Sequence, residues 1–275
     1  HLPAAIAERH GLLPVDTALA RLHVPPADAP IGALNEFSSP AHRTIIFDEL
    51  FYLQLGLARR KSIRRHERGI GFVTRPAGLL PRMKKKLPFE LTGAQRRVLG
   101  EIEQDMARSQ PMQRLVQGDV GSGKTMVAWL ASLQAIDNGY QALWMAPTEI
   151  LAEQHYRNLK EFADDLRIPS ALLTAATPAK EKRALLQAIE RADVAFVVGT
   201  HALIQQEVHA PRMGLGVIDE QHRFGVMQRL SLRRLVNGAA REAAATREPH
   251  MLLMSATPIP RSLAMVLYGD MEVSF

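Results

Sequence analysis

Residues Arg114 to Thr125 read RLVQGDVGSGKT. Gly118, Gly123, Lys124 and Thr125 fall in the spacing G-x-x-x-x-G-K-T. Each residue type has a job in holding a polyphosphate. A loop that wraps phosphate turns its backbone N–H groups inward, and glycine reaches the necessary dihedrals without a Cβ clash. The loop here is Gly118, Asp119, Val120, Gly121, Ser122 and Gly123. A helix that follows points its unpaired N–H groups and positive dipole end at the same anion. Lys124 adds a point charge for the outer phosphates, and the Thr125 hydroxyl can ligate Mg²⁺. An ordinary glycine-rich turn is the plainer reading. It does not account for the apolar run before the loop or for MVAWLASLQAI after it, which is apolar almost all round, as a buried helix is.

A second group of residues ends another apolar run, in LGVIDEQH: Asp219, Glu220, Gln221 and His222. Splitting a phosphoanhydride needs a carboxylate to hold Mg²⁺ and a group to orient or deprotonate water. Adjacent Asp219 and Glu220 at a strand end can supply both. A third run, MLLMS, leads into Ser255, Ala256 and Thr257, small residues able to link a nucleotide site to a neighbouring surface.

These residues need a frame. The apolar runs RLVQ, QALWMA, SALLT, VAFVV, LGVIDE and MLLMS alternate with helical patterns from Phe89 onward. That alternation predicts an α/β domain with a parallel sheet covered by helices on both faces, where ligands bind beyond the carboxyl ends of the strands. Ahead of it, LPAAIAERHG and PVDTALARLH predict two short helices, each with proline near its start. VPPADAPIG is a proline-rich break, and a long amphipathic helix runs from about Pro40 to Arg65. Its stripe of Ile46, Leu50, Leu53 and Leu57, widened by Phe47, Phe51 and Leu55, is expected to pack inside a small helical subdomain.

The chain of 275 residues carries a net charge of +6, unevenly spread. Residues 59–86 hold eleven Lys/Arg against one acid, a balance of +10 that leaves −4 elsewhere. A solvated helix end and linker is the plain reading of this segment. A contact to a phosphate backbone is the sharper one. No apolar run approaches a membrane span. The absence of cysteine excludes disulfides and thiolate metal sites and fits a reducing cytoplasm. The histidines show no metal-ligand spacing.

Together these segments resemble the motor of superfamily 2 helicases. The phosphate loop, DEQH and SAT look like motifs I, II and III. APTEILAEQHY (146–156) and VVGTHALIQ (197–205) look like DNA-contacting motifs, and PFELTGAQ (88–95) like the adenine-recognising segment marked by Phe89 and Gln95. QGDVGSGKT, DEQHRFGV and SATPIPRSLA are most similar to the RecG-type ATP-dependent DNA helicases, which remodel stalled forks and branched junctions. Met227 departs from that pattern, which has a polar residue there. A transcription–repair translocase with a related motor and a P-loop ATPase without a nucleic-acid role are the alternative readings.

The resemblance implies a RecA-like fold, ATP and Mg²⁺ as ligands, branched or forked DNA as partner and a bacterial cytoplasmic, nucleoid-associated setting. Residue by residue, it implies phosphate and Mg²⁺ binding by Lys124 and Thr125, and Mg²⁺ binding by Asp219. It makes Glu220 the activator of water and Gln221 and His222 the sensors of the γ-phosphate. Pro147, Thr148, Gly199, Thr200 and His201 would face DNA, and Ser255, Ala256 and Thr257 would couple the two sites. It places a helical lead-in at 1–75, a basic linker at 76–87 and the first RecA-like motor domain at 88–275. The second motor domain with its arginine finger, and the amino-terminal wedge, are expected elsewhere in one full-length chain that begins before His1.

Overall fold

The computed structural model describes residues 2–64, 67–200, 203, 208–220, 247–256 and 271–275, without the side chains of Arg60, Ile63, Arg64 and Glu220. The chain divides into two compact units, His1–Ser62 and Ile63–Phe275.

The first unit is helical. α1 (Ala4–Arg9) and α2 (Val15–His23) start directly after Pro3 and Pro14. Proline's fixed φ suits that position, and its missing N–H removes no helical hydrogen bond there. A third short helix, α3 (Ile31–Asn35), follows the proline-rich break. The long helix α4 spans Pro40–Arg64, as its periodicity predicts. Its apolar stripe does not pack as expected. Leu57 is buried, but Ile46, Leu50, Leu53 and Leu55 keep 44–52% exposure. Only three short helices precede α4 in this unit, too little surface to cover a stripe of that length. Phe47 and Phe51 stack at 6.2 Å and, with Phe37, Ile46 and Leu50, line an open apolar groove.

The second unit is built on one parallel sheet. The described strands are β1 (Gln113–Gln117), β2 (Gln141–Met145), β3 (Ser170–Leu173), β4 (Phe196–Gly199), β5 (Met213–Glu220), β6 (His250–Ser255) and β7 (Glu272–Ser274). Their order is β3-β4-β2-β5-β6-β1-β7, and every pairing is parallel. Side chains alternate between two apolar layers, as the two-residue period of a strand requires. Val116, Trp144, Val198, Val217 and Leu252 face one layer. Leu115, Leu143, Val197, Ile218 and Leu253 face the other. Helices α6 (Gly93–Met106), α7 (Lys124–Asp137) and α8 (Glu149–Asp165) contribute to the first layer, and α9 (Ala179–Glu190) to the second. Burial on both faces explains why the strands read as continuous apolar runs rather than alternating ones.

The boundary between the units falls well before the one expected at 75. Residues 63–87 belong to the second unit. Ile70 and Phe72 are buried in its core, and Leu79–Lys86 form a helix, α5, whose Leu80 and Met83 are buried in the core layer that α7 also lines. Lysines on its outer side pair with acids of the same unit: Lys84 with Glu103 at 2.9 Å and Lys86 with Asp165 at 3.0 Å. The segment therefore packs as a structural helix, and part of its positive charge is already neutralised by neighbours. Among the described residues no helix is long and apolar enough to cross a membrane.

Two buried polar groups bind distant segments of this unit. Arg114 on β1 donates to Asp105 at 2.6 and 3.0 Å and to Glu101 at 2.8 Å on α6, and also to Ser274 on β7. His250 is fully buried at the start of β6. Its Nδ1 accepts from the Met112 N–H at 2.9 Å, and its Nε2 donates to the Ile70 carbonyl. The ring is therefore neutral, and burial pushes its pKa down to about 4.

Removing Arg114 leaves Asp105 buried without its main partner, a loss of about 3–5 kcal/mol for a pair of this kind. Arg114→Ala is expected to lower the urea midpoint of the second unit accordingly. A change under 1 kcal/mol (roughly the value of a surface pair) would show that the network contributes little. The His250 pKa is lower folded than unfolded, so the unfolded chain takes up more protons as pH falls below about 6.5. Stability is fully present above that pH and decreases by about 3 kcal/mol as pH falls to 4. The loss attributable to this residue is the difference in urea midpoints between pH 7.5 and 4.5 that disappears in His250→Gln. An equal pH dependence in both proteins would contradict the assignment.

Candidate nucleotide site at the carboxyl ends of the strands

Parallel pairing puts the residues singled out in the sequence into register. Gln117, the last residue of β1, lies beside Ser255, the last of β6, and Ser255 lies beside Glu220, the last of β5. Neighbouring strands are about 4.8 Å apart, so the phosphate-loop entrance, the SAT segment and the acidic pair lie within about 10 Å along one sheet edge. The Gly118 N–H donates to the Ser255 carbonyl at 3.2 Å, which ties the loop to β6 at its first residue.

The loop owes its path to Gly121 and Gly123, with φ of +82° and +83°. Both are in the left-handed region that a Cβ disfavours. Gly123 is the N-cap of α7 and offers no side chain to the first turn. The amide groups at this helix end are left for a ligand, beside the positive end of the helix dipole. α7 itself is buried from Val127 to Ala135. Trp144 of β2 donates its ring N–H to Ser132 at 2.9 Å, which fixes the helix against the sheet.

Lys124 folds back over the loop. Its Nζ donates to the Gly118 carbonyl at 2.6 Å and the Asp119 carbonyl at 2.7 Å. Burial lowers its pKa from the ordinary lysine value, and the Asp219 and Asp119 carboxylates oppose that. Ser122 presents its carbonyl to Gln95 Nε2 at 2.8 Å. Gln95 also closes a capping box with Thr92, so one side chain secures both the start of α6 and the loop. A side chain on Gly123 would displace Gln95 Nε2 from its place at the Ser122 carbonyl. Val120 is 86% exposed at the loop tip. Phe89, half exposed, lines a depression of about 860 Å³ with Arg96, Leu99, Gly100 and Glu103. Gln95 turns away from that depression and toward the loop.

Asp219 lies one residue before the end of β5. Val217 two residues earlier faces the layer that α7 and α8 cover, so Asp219 points to the same side. There it accepts from Nε2 of His155, on α8, at 2.7 Å. A magnesium ion that takes most ligands from phosphate and water needs few protein oxygens. The Thr125 hydroxyl in the first turn of α7 and the Asp219 carboxylate fit such an ion. The described residues hold no group of three or more His, Cys, Asp or Glu that would cage a metal without phosphate.

The ends of β2, which neighbours β5, and of β4 beyond it carry the residues expected to face DNA. Pro147 and Thr148 follow β2, and Thr148 caps α8 by accepting from the Leu151 N–H at 3.3 Å. Gly199 ends β4, where a Cβ would meet the Leu173 carbonyl. Thr200 is buried, so the exposed part of this edge comes from Thr148 and its neighbours. Ser255 is buried and Ala256 half-buried. Gln221, His222, His201 and Thr257 lie outside the described residues, as does the side chain of Glu220. His155 was not singled out in the sequence. It occupies the buried stripe of α8 with Ala152, Leu159 and Ala163, and a polar residue in an otherwise apolar stripe was the available signal.

Comparison with known proteins supports the same frame. Over 99% of its length the chain is 46% identical to an ATP-dependent DNA helicase RecG of Synechocystis sp.. Over its whole length it is 42% identical to that of Aquifex aeolicus. It spans 31% and 33% of those two proteins, about a third of the length of the curated relatives it matches. A solved structure of RecG bound to a three-way DNA junction superposes with a TM-score of 0.79 at 40% identity, covering 99% of this chain and 34% of that one. The helicase MrfA, at 21% identity and a TM-score of 0.55, shares the fold. Residues 92–266 match the DEAD/DEAH box helicase family, which takes in both the phosphate loop and the acidic strand end, and the chain belongs to that family.

Proposed function

We propose that this chain is the first RecA-like motor of a RecG-type DNA helicase that remodels branched or forked DNA in repair and recombination, using ATP. One observation carries the reading: 99% of the chain, taking in both units, aligns at 40% identity with a protein solved on a three-way DNA junction. The chain spans about a third of those relatives' length, which leaves room in one longer chain for the second motor domain and the wedge that the resemblance implies. The absence of a membrane-length helix among the described residues is compatible with a DNA-acting role.

In this reading the loop from Gly118 to Gly123 and the first turn of α7 receive the phosphates. Lys124 exchanges its two carbonyl partners for phosphate oxygens. Thr125 and Asp219 hold Mg²⁺, which when bound neutralises charge on the phosphates. Glu220 orients the attacking water and accepts its proton, and Gln221 and His222 read the γ-phosphate. Phe89 and Gln95 belong to the adenine side. Pro147, Thr148, Gly199, Thr200 and His201 form the DNA-facing edge. Ser255, Ala256 and Thr257 connect the edges, through the Gly118–Ser255 bond. An arginine from a second motor domain is worth about 10³ to 10⁵ in rate in such enzymes.

Two measurements test this. A hydrogen bond to a charged group contributes about 1.5–3 kcal/mol, so Lys124→Ala is expected to weaken ATP binding by about 10- to 150-fold while the chain stays folded. Unchanged affinity would remove the phosphate site. The 275-residue chain assayed alone with forked DNA is expected to hydrolyse ATP no faster than its Glu220→Gln variant. Turnover near that of an intact helicase, abolished by Glu220→Gln, would show that no second domain is required.

A further inference from the structure

His155 is the one described side chain shown bonding to the Asp219 carboxylate, and it comes from a different part of the chain. α8 is capped by Thr148, on the edge assigned to DNA, and carries His155 two turns along, about 10 Å away. The ring is nine-tenths buried. It packs edge-to-face on Trp144, with centroids 5.8 Å apart. Trp144 is itself pinned to α7 through Ser132. The imidazole therefore has its position set from behind, by strand β2 and helix α7. An ionised carboxylate only accepts, so Nε2 carries the hydrogen and donates it to Oδ2 at 2.7 Å. That bond occupies Oδ2 of Asp219 and restrains the carboxylate, leaving Oδ1 for another partner.

We infer that His155 is a positioning residue: it orients Asp219 for Mg²⁺ bound with nucleotide, and so makes α8 a support of the metal side of the site. The inference rests on the nucleotide-site reading above. Partners that hold a ligating carboxylate typically change metal affinity by about 10- to 100-fold when removed. A histidine that merely fills the core changes stability and not the response to metal. One that competes with the ion for Asp219 weakens metal binding, and its removal strengthens it.

The test is binding of a fluorescent (mant-labelled) ATP to the 275-residue chain in Mg²⁺ and in EDTA, for the wild type, His155→Met, His155→Gln and Lys124→Ala. Methionine fills the space without a donor, and the glutamine amide can replace the Nε2–H. The expected result is a ratio of Mg²⁺ to EDTA affinity at least about tenfold smaller in His155→Met, with the EDTA affinity unchanged and the ratio recovered in His155→Gln. A wild-type ratio in His155→Met, a larger one, or no recovery in His155→Gln overturns the inference. Loss of binding in Lys124→Ala with a wild-type ratio in His155→Met leaves the nucleotide site standing and removes only this role. Binding in the wild type that neither Mg²⁺ nor Lys124→Ala affects removes both. A second measurement does not depend on the variants folding. The ring Nε2–H proton of His155, followed by ¹⁵N-edited NMR, is expected to stay in slow exchange when Mg²⁺ and the ATP analogue are added. Its disappearance would show that the ion breaks the bond.

Discussion

The parallel register of β1, β6 and β5 is the constraint on which the site depends. It aligns Gln117, Ser255 and Glu220 in one row, so three segments distant in sequence end at the same height on the sheet. Parallel strands all deliver their carboxyl ends to one edge, and each must then turn into a loop or helix. The phosphate loop, Asp219, Pro147, Thr148 and Ser255 lie at such strand ends, whereas Phe89 and Gln95 precede β1. A slip of one residue in β6 would reverse its alternation between the two apolar layers, burying the wrong side chains along the strand. The packing that stabilises the sheet therefore also fixes the site.

Within that frame the phosphate loop is held by its own polar groups. Two left-handed glycines, Gly121 and Gly123, set the path of the loop backbone. Lys124 caps two carbonyls of the loop, and Gln95 holds a third. A cation already lodged at the loop can pass to an incoming polyphosphate with little reorganisation, and preorganised charge of this kind acts most strongly away from water. α7, buried along most of its length, cannot shift without disturbing the core it shares with Trp144 and Phe196. The helix end is thereby fixed relative to Asp219 on the neighbouring strand end.

Much of this was legible in the sequence because the signals were local. The glycine spacing and the buried helix after it identified the loop, and six apolar runs identified six strands. What escaped depends on partners far along the chain. α5 read as a basic linker because three lysines in a row hide the spacing of Leu80 and Met83, which matters only once α7 is beside it. β7 is a three-residue edge strand, too short to produce a period. The stripe on α4 was correct as a helix but not as a core, since nothing in a pattern says what will cover it. His155 lies within a quoted motif and still escaped, because its meaning comes from Asp219, 64 residues later.

The most direct test is a crystal structure of this chain with a non-hydrolysable ATP analogue and Mg²⁺. The outer phosphates are expected inside the loop from Gly118 to Gly123, with Lys124 Nζ moved from the Gly118 and Asp119 carbonyls onto phosphate oxygen. Asp219 is expected on the metal side, still held by His155. A nucleotide bound elsewhere, or a loop occupied while Lys124 keeps both carbonyls, would contradict the account.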